Sequence, residues 1–275
     1  MIKTKDVNFM EIISNGKINK KEKTNAKTNV KKVIAVMSGK GGVGKSTVTS
    51  LLAVSLMEQG YKVGIMDADL TGPSIPKMFG MNDKHAVGDG TGIDPVKSDM
   101  GIKLMSINFL LEDKEAPVIW RGPAVTGTVK QFFTEVNWGE LDYLLVDLPP
   151  GTGDVPLTMM QSIPLDGIVI VTSPQDLVNH IVTKSINMAH KLNVPVLGLI
   201  ENMSYFECKN CGTKTHIFGE SKSREVAKKT DVNFITEIPI DPEMVKLVNE
   251  GKVEYYLRNN VKFAEEFEKN ILGVL

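Results

Sequence analysis

Beyond residue 32 the chain alternates short, almost wholly apolar runs with longer amphipathic stretches. The runs are "VIAVMS" (33–38), "KVGIMDAD" (62–69), "IKLMSI" (102–107), "YLLVDLPPG" (143–151), "GIVIVTS" (167–173), "VPVLGLIEN" (194–202) and "NFITEIPI" (233–240). Runs this short with so few polar interruptions suit parallel strands covered on both faces. Helical stretches over about 44–59, 123–136 and 176–192 supply the covering layers. The pattern predicts an α/β fold: a doubly wound, mainly parallel sheet flanked by helices, with ligands at the carboxyl ends of the strands. Gly39–Thr47, Asp67–Asp69, Asp147 and Asn202 all fall at such ends. Their convergence marks the candidate site.

The first 32 residues follow a different pattern. They carry nine lysines against three acids, with apolar residues too sparse for a core. We expect a disordered basic arm over 1–31 and a single catalytic domain over 32–275. With a net charge of −1 the chain has no global field to attract nucleic acid, and the arm is expected to be solvated rather than nucleic-acid-bound. No apolar run reaches 18 residues, so no membrane span is expected. Two cysteines in 275 residues make no disulfide framework and point to a reducing, cytoplasmic setting.

The turn after the first strand, "GKGGVGKST" (39–47), fits the phosphate-cradle pattern G-x-x-x-x-G-K-[ST]. Consecutive backbone N–H groups around Gly39, Gly41, Gly42, Val43 and Gly44 would face phosphate oxygens, with the following helix adding its positive end. Lys45 is expected on the β and γ phosphates, the Ser46 hydroxyl on Mg²⁺, and the Thr47 hydroxyl near the α-phosphate. Lys40 is the anomaly. Placed ahead of the bend, it is poorly set for its own nucleotide but suited to a neighbour's, across a two-fold axis. With this second lysine the loop resembles the deviant Walker A loop of the ParA/MinD/nitrogenase-iron-protein class of P-loop ATPases. That resemblance implies ATP sandwiched in a homodimer, with Lys40 acting in trans. It also implies catalytic acids in "IMDADLTG": Asp69 positions the attacking water and Asp67 supports the Mg²⁺ shell, the division between them left open. Asp147 takes the place of a Walker B acid holding a metal-bound water. Asn202 is expected to read the adenine edge through its amide.

Cys208 and Cys211 form one C-x-x-C in "SYFECKNCGTKTHIFG". From the residues alone four readings stand: a cluster bridged between two chains, a bridged zinc (with His216 as a further donor), a redox pair, and a structural pair. One chain supplies two thiolates, and an iron–sulfur cluster takes four. From residue 32 onward the chain resembles the Mrp/ApbC branch of that ATPase class, the iron–sulfur cluster carriers. The segments that carry the resemblance are "GKGGVGKST", "MDADLTGPSIPKMFG", "VIWRGPAV", "DYLLVDLPPGTGD", "ENMSYFECKNCG" and "IFGE". It implies slow ATP hydrolysis and a labile [4Fe–4S] cluster on the paired C-x-x-C loops (203–216) of a homodimer. The cluster passes to apo-proteins, with scaffold proteins as further partners. "EIPIDP" resembles the segment whose backbone, at Pro239, lies beside the base. Unlike many bacterial members the sequence shows no additional amino-terminal domain, and unlike the eukaryotic cytosolic ones no cysteine-rich amino-terminal segment. A second, stable cluster is therefore not expected.

Two other functions share the loop. A MinD-type positioning ATPase ends in a basic amphipathic helix, whereas "NNVKFAEEFEKNILGVL" carries two lysines against three glutamates. A zinc-bridged scaffold remains the other alternative. "WRGP" (120–123) is a candidate dimer or switch surface.

Overall fold

The computed structural model describes residues 21–88, 90–111 and 122–275, without the side chains of 122–123 and 176–180. Residues 1–20 of the basic arm, and Trp120 and Arg121 of "WRGP", lie outside the described residues. In chain order the elements are β1 (Asn29–Ser38), α1 (Lys45–Glu58), β2 (Val63–Asp67), α2 (Ile75–Met78), β3 (Val87–Gly88), β4 (Ile93–Asp94), β5 (Val96–Lys97) and β6 (Lys103–Met105). A 3₁₀ turn at Ile107–Phe109 precedes α3 (Gly122–Thr134), β7 (Glu140–Asp147), α4 (Asp154–Ser162), β8 (Gly167–Thr172), α5 (Asp176–Lys191) and β9 (Val196–Glu201). The chain then forms β10 (Phe206–Glu207), β11 (Lys214–Thr215), α6 (Ser223–Lys229), β12 (Phe234–Glu237), α7 (Pro242–Asn249), α8 (Glu254–Asn259) and α9 (Val261–Leu272).

Eight strands make one sheet in the order β12-β9-β8-β1-β7-β2-β6-β5. Every neighbouring pair is parallel except β5 with β6. The expected mainly parallel sheet is what forms, and β1 shows why its strands read as unbroken apolar runs. Val33, Ala35 and Met37 point into one apolar layer, with Phe132, Trp138, Met159 and Ile186. Ile34 and Val36 point into the other, with Leu51, Leu52, Tyr256 and Phe267. Alternate side chains thus meet two separate cores, so both phases of the period-two pattern must be apolar. The C-terminal α9 lays Ala264, Phe267 and Ile271 into the second core, where its apolar stripe is already covered.

One boundary moves. Strand β1 begins at Asn29, paired with Glu140, and not at residue 33. Residues 21–28 also lie against the body, inside the stretch expected to be a disordered arm. Lys21 Nζ donates to the carbonyls of Met160 (2.6 Å) and Ile163 (2.9 Å), and the Glu22 amide donates to Ser162 O (2.8 Å). Asn25 Nδ2 and Thr28 Oγ1 both donate to Val136 O, at 3.0 and 3.1 Å. Polar side chains suffice here because their partners are main-chain carbonyls at and just beyond the ends of α4 and α3. Composition alone reports no apolar core and so no reason for order.

Candidate functional site

The carboxyl ends of β1, β2, β7 and β9 meet at one edge of the sheet, and the loop from β1 to α1 curls over them. Gly42 and Gly44 have φ of +83° and +79°, conformations that a side chain resists. At Gly44 there is also no room, since a Cβ would sit 2.2 Å from Asn202 Nδ2. Gly39 is equally confined, a Cβ there falling 2.6 Å from Ile181 Cγ2 on α5. Gly41 and Gly42 are exposed, whereas Val43 is buried and anchors the loop.

Lys45 and Ser46 open α1, and both turn towards Asp147 at the end of β7. Lys45 Nζ lies 2.8 Å from Asp147 Oδ2, both groups being buried. The Ser46 hydroxyl donates to the same oxygen at 2.6 Å. Thr49 Oγ1, one turn further along α1, donates to Asp147 Oδ1 at 2.7 Å. Asp67 stands in register with Asp147 across the β2–β7 ladder and is fully buried. Burial first, then the neighbouring Asp147, pushes its carboxyl up to about 8, while Lys45 and the Ser106 hydroxyl at 3.1 Å pull the other way. Asp69 is half-buried; its Oδ1 accepts from Thr71 Oγ1 (2.9 Å) and its amide leans on Asp67 Oδ1 (3.3 Å). Thr47 lies half-buried in the first turn of α1. Apart from the Lys45 ammonium, the groups around Asp147 and Asp67 are oxygens, the two carboxylates and the Ser46, Thr49 and Ser106 hydroxyls. One or two carboxylates plus a hydroxyl is the set that fits Mg²⁺, which takes its remaining ligands from phosphate and water.

Three expected residues sit apart from this cluster. Lys40 is exposed, its Nζ 3.4 Å from Gln175 Oε1. Asn202 is buried, and its Nδ2 donates to Val43 O at 2.9 Å. The amide expected to read a base edge therefore holds up the glycine loop, leaving Oδ1 for a base. Pro239 is half-buried beside it, because Ile238 N donates to Glu201 O (2.8 Å) and Ser204 N donates to Ile238 O (3.0 Å).

The cysteines lie on the small antiparallel hairpin β10–β11, whose register pairs Phe206 with Thr215. Cys208 N donates to Thr213 O at 3.0 Å and Gly212 N to Cys208 O at 2.8 Å, closing a tight turn. Cys211 is exposed and Cys208 half-buried. Hydrogen bonds from the Thr213 side chain and backbone, then from Cys208, hold the Cys211 thiol below the usual cysteine range. His216 Nδ1 lies 3.3 Å from Ser204 O and its ring packs edge-on against Tyr205. Among the described residues no three His, Cys, Asp or Glu gather as metal ligands.

Sequence reasoning did not find Thr49, Ser106 or Glu201. Ser106 lies near the end of a predicted strand, as Asp67 and Asp147 do, so its position was a readable signal. Thr49, four residues after Lys45, was readable as the next inward position of the helix.

A left-handed glycine loop whose lysine and serine converge on the terminal acid of a central parallel strand defines a class, the P-loop nucleotide-binding proteins. Comparison with known proteins narrows the class. The family described as ParA: NUBPL iron-transfer P-loop NTPase matches residues 29–274. The chain is similar to the iron–sulfur cluster carrier protein of Clostridium perfringens (strain 13 / Type A), with 49% identity over 247 residues that cover 87% of each chain. It is 44% identical to the cytosolic Fe-S cluster assembly factor CFD1 of Kluyveromyces lactis over 227 residues, 80% of each chain. Its fold is also similar to a nucleotide-binding protein from Archaeoglobus fulgidus solved in complex with ADP. That protein has a TM-score of 0.75 and 52% identity, over 82% of this chain and 89% of the other. The chain belongs to the iron-transfer P-loop NTPases, the family of the iron–sulfur cluster carriers. No helix among the described residues is long and apolar enough to cross a membrane.

Proposed function

We infer that the chain works as its family does, as a nucleotide-binding iron–sulfur cluster carrier. We propose further that its cargo is a [4Fe–4S] cluster held between two copies and passed to apo-proteins. The observation that carries this reading is the exposed C-x-x-C at the tip of a hairpin rooted beside the nucleotide loop. One chain has two thiolates and the cargo takes four, so a second copy completes the set. An exposed tip with one thiol already shifted towards thiolate suits a cargo that must be received and released by ligand exchange.

In this reading ATP binds on the backbone amides of Gly39–Thr47, with Lys45 on the outer phosphates. Ser46, Asp147 and Asp67 would hold Mg²⁺ directly or through water, and the ion would supply positive charge that screens the phosphates. Asp69 orients the attacking water. The exposed Lys40 is free of its own loop's phosphates, which supports a role on the partner's nucleotide as transition-state charge builds. Kinship to a cytosolic assembly factor and the scarcity of cysteine support a reducing compartment.

Anaerobic reconstitution with iron and sulfide, followed by metal analysis and mass in solution, tests the cargo. Four iron and four sulfide per two chains is the expected result, lost in Cys208→Ala and Cys211→Ala with ATP binding retained. One zinc per two chains, unmoved by excess iron and sulfide, would replace the carrier with a structural bridge.

A further inference from the structure

One buried carboxylate takes no part in the nucleotide chemistry. Glu201 is the last residue of β9 and is fully buried. Its partners are hydroxyls: Ser204 Oγ donates to Oε1 at 2.7 Å, Ser221 Oγ donates to Oε2 at 2.5 Å, and Ser223 Oγ donates to Oε2 as well. A carboxyl group is an unfavourable way to fill a buried strand end, since it loses hydration that an aliphatic side chain would not need. Its placement makes sense through what the three serines hold. Ser204 stands before the cysteine hairpin, and Ser221 and Ser223 stand after it. Both feet of the segment bearing Cys208 and Cys211 therefore hang on one side chain.

The next residue faces the other way. Asn202 Nδ2 supports the Val43 carbonyl in the phosphate loop, and the Asn202 amide is tied to Thr172 O at 2.8 Å. Between Asn202 and Ser204, Met203 has φ of +57°, a left-handed conformation that is unfavourable for a residue with a side chain. Such a conformation persists only where the surroundings over-determine it. Here they do so from two sides, the glycine loop through Asn202 and the hairpin feet through Glu201. Four successive residues thus connect the two functional sites, and the clamp at Glu201 takes the slack out of the connection.

We propose that Glu201 is a positioning residue that locks both feet of the cysteine hairpin to the strand end supporting the phosphate loop, so that nucleotide binding is transmitted to Cys208 and Cys211. Its significance for cluster handling rests on the carrier reading, but the coupling itself does not. When phosphates draw in the loop amides, Val43 and Gly44 shift against Asn202, and the clamped turn carries the shift to the hairpin. Linkage makes the effect reciprocal, so a change at the thiols alters nucleotide affinity by the same factor.

The test uses the full, metal-free chain under reducing conditions. The rate of thiol alkylation by iodoacetamide is measured with and without Mg²⁺ and a non-hydrolysable ATP analogue. In the natural sequence the nucleotide is expected to change the rate by about fivefold or more, the low end of measured site-to-site couplings. In Glu201→Ala the nucleotide should bind within about twofold of its original affinity while the effect on alkylation collapses. Glu201→Gln, which still offers polar atoms to the serine hydroxyls, should restore it, a rescue that a merely structural role does not predict. Should Glu201→Ala lose its folded circular dichroism, Ser204→Ala replaces it, removing the one hydroxyl that ties the leading foot to Glu201. A nucleotide effect that survives in Glu201→Ala or Ser204→Ala, or that is missing in the natural sequence, overturns the proposal. Failure to load four iron per two chains would sink the carrier reading and leave the alkylation result standing.

Discussion

Thr49 offers the sharpest check on how the site is held together. Its hydroxyl is fully buried and donates to Asp147 Oδ1 at 2.7 Å, while Lys45 and Ser46 occupy Oδ2. Thr49→Val keeps the shape and β-branching and removes only that donor. A hydrogen bond to a charged acceptor contributes about 1.5–3 kcal/mol, and here the acceptor is left buried without its donor. For a chain of this size each kcal/mol moves the melting temperature by about 2–4 °C. The expected loss is therefore about 3–12 °C by differential scanning calorimetry, with Thr49→Ser, which retains the hydroxyl, losing less than half as much. Because Asp147 loses one of the three partners that orient it, Mg²⁺-dependent nucleotide binding should weaken in parallel. A Thr49→Val protein melting with the natural one, or together with Thr49→Ser, would refute the argument that the hydroxyl orients Asp147.

The two lysines of the loop should separate cleanly: Lys45→Ala abolishes ATP binding, whereas Lys40→Ala leaves affinity largely intact and slows hydrolysis by about tenfold or more, since Lys40 touches Gln175 and not its own loop. Equal loss of affinity in both, by isothermal titration, would defeat the trans role. Glu254 supplies a pH signature. Burial is the first cause that raises its carboxyl above the ordinary range, against hydrogen bonds from the Ser98 hydroxyl (2.6 Å) and the Met100 amide (3.3 Å). The unfolded chain releases this proton at lower pH than the folded one, so the group's contribution is full below the ordinary glutamate value of 4.5 and is lost as pH rises through the folded value. Glu254→Gln keeps both acceptor contacts and should melt higher than the natural protein at pH 8, the gap closing towards pH 4.5. A gap independent of pH would show that the carboxyl is not held above its ordinary value.

The parts legible in the sequence are those whose function is local. The phosphate loop works through consecutive amides and glycines, so nine adjacent residues specify it wherever the chain places them. The C-x-x-C is local in the same way, and the apolar runs announce strands because each must face two cores. Strand ends then point to Asp67 and Asp147 as site residues, since a parallel sheet brings its carboxyl ends together. What the sequence left unread lies in pairings between distant residues. Lys21 finds the carbonyls that end α4, Thr49 finds Asp147, and Asn202 meets Val43 across 159 positions. The clamp is a different case, for Glu201 and its serines lie within 22 positions of one another, yet four ordinary polar residues in a loop give no sign that one carboxylate gathers three hydroxyls. A polar side chain can be satisfied by water, by main chain or by many other side chains at nearly equal energy. Only burial removes water from that choice, and burial is decided when the sheet and its two layers close around each residue.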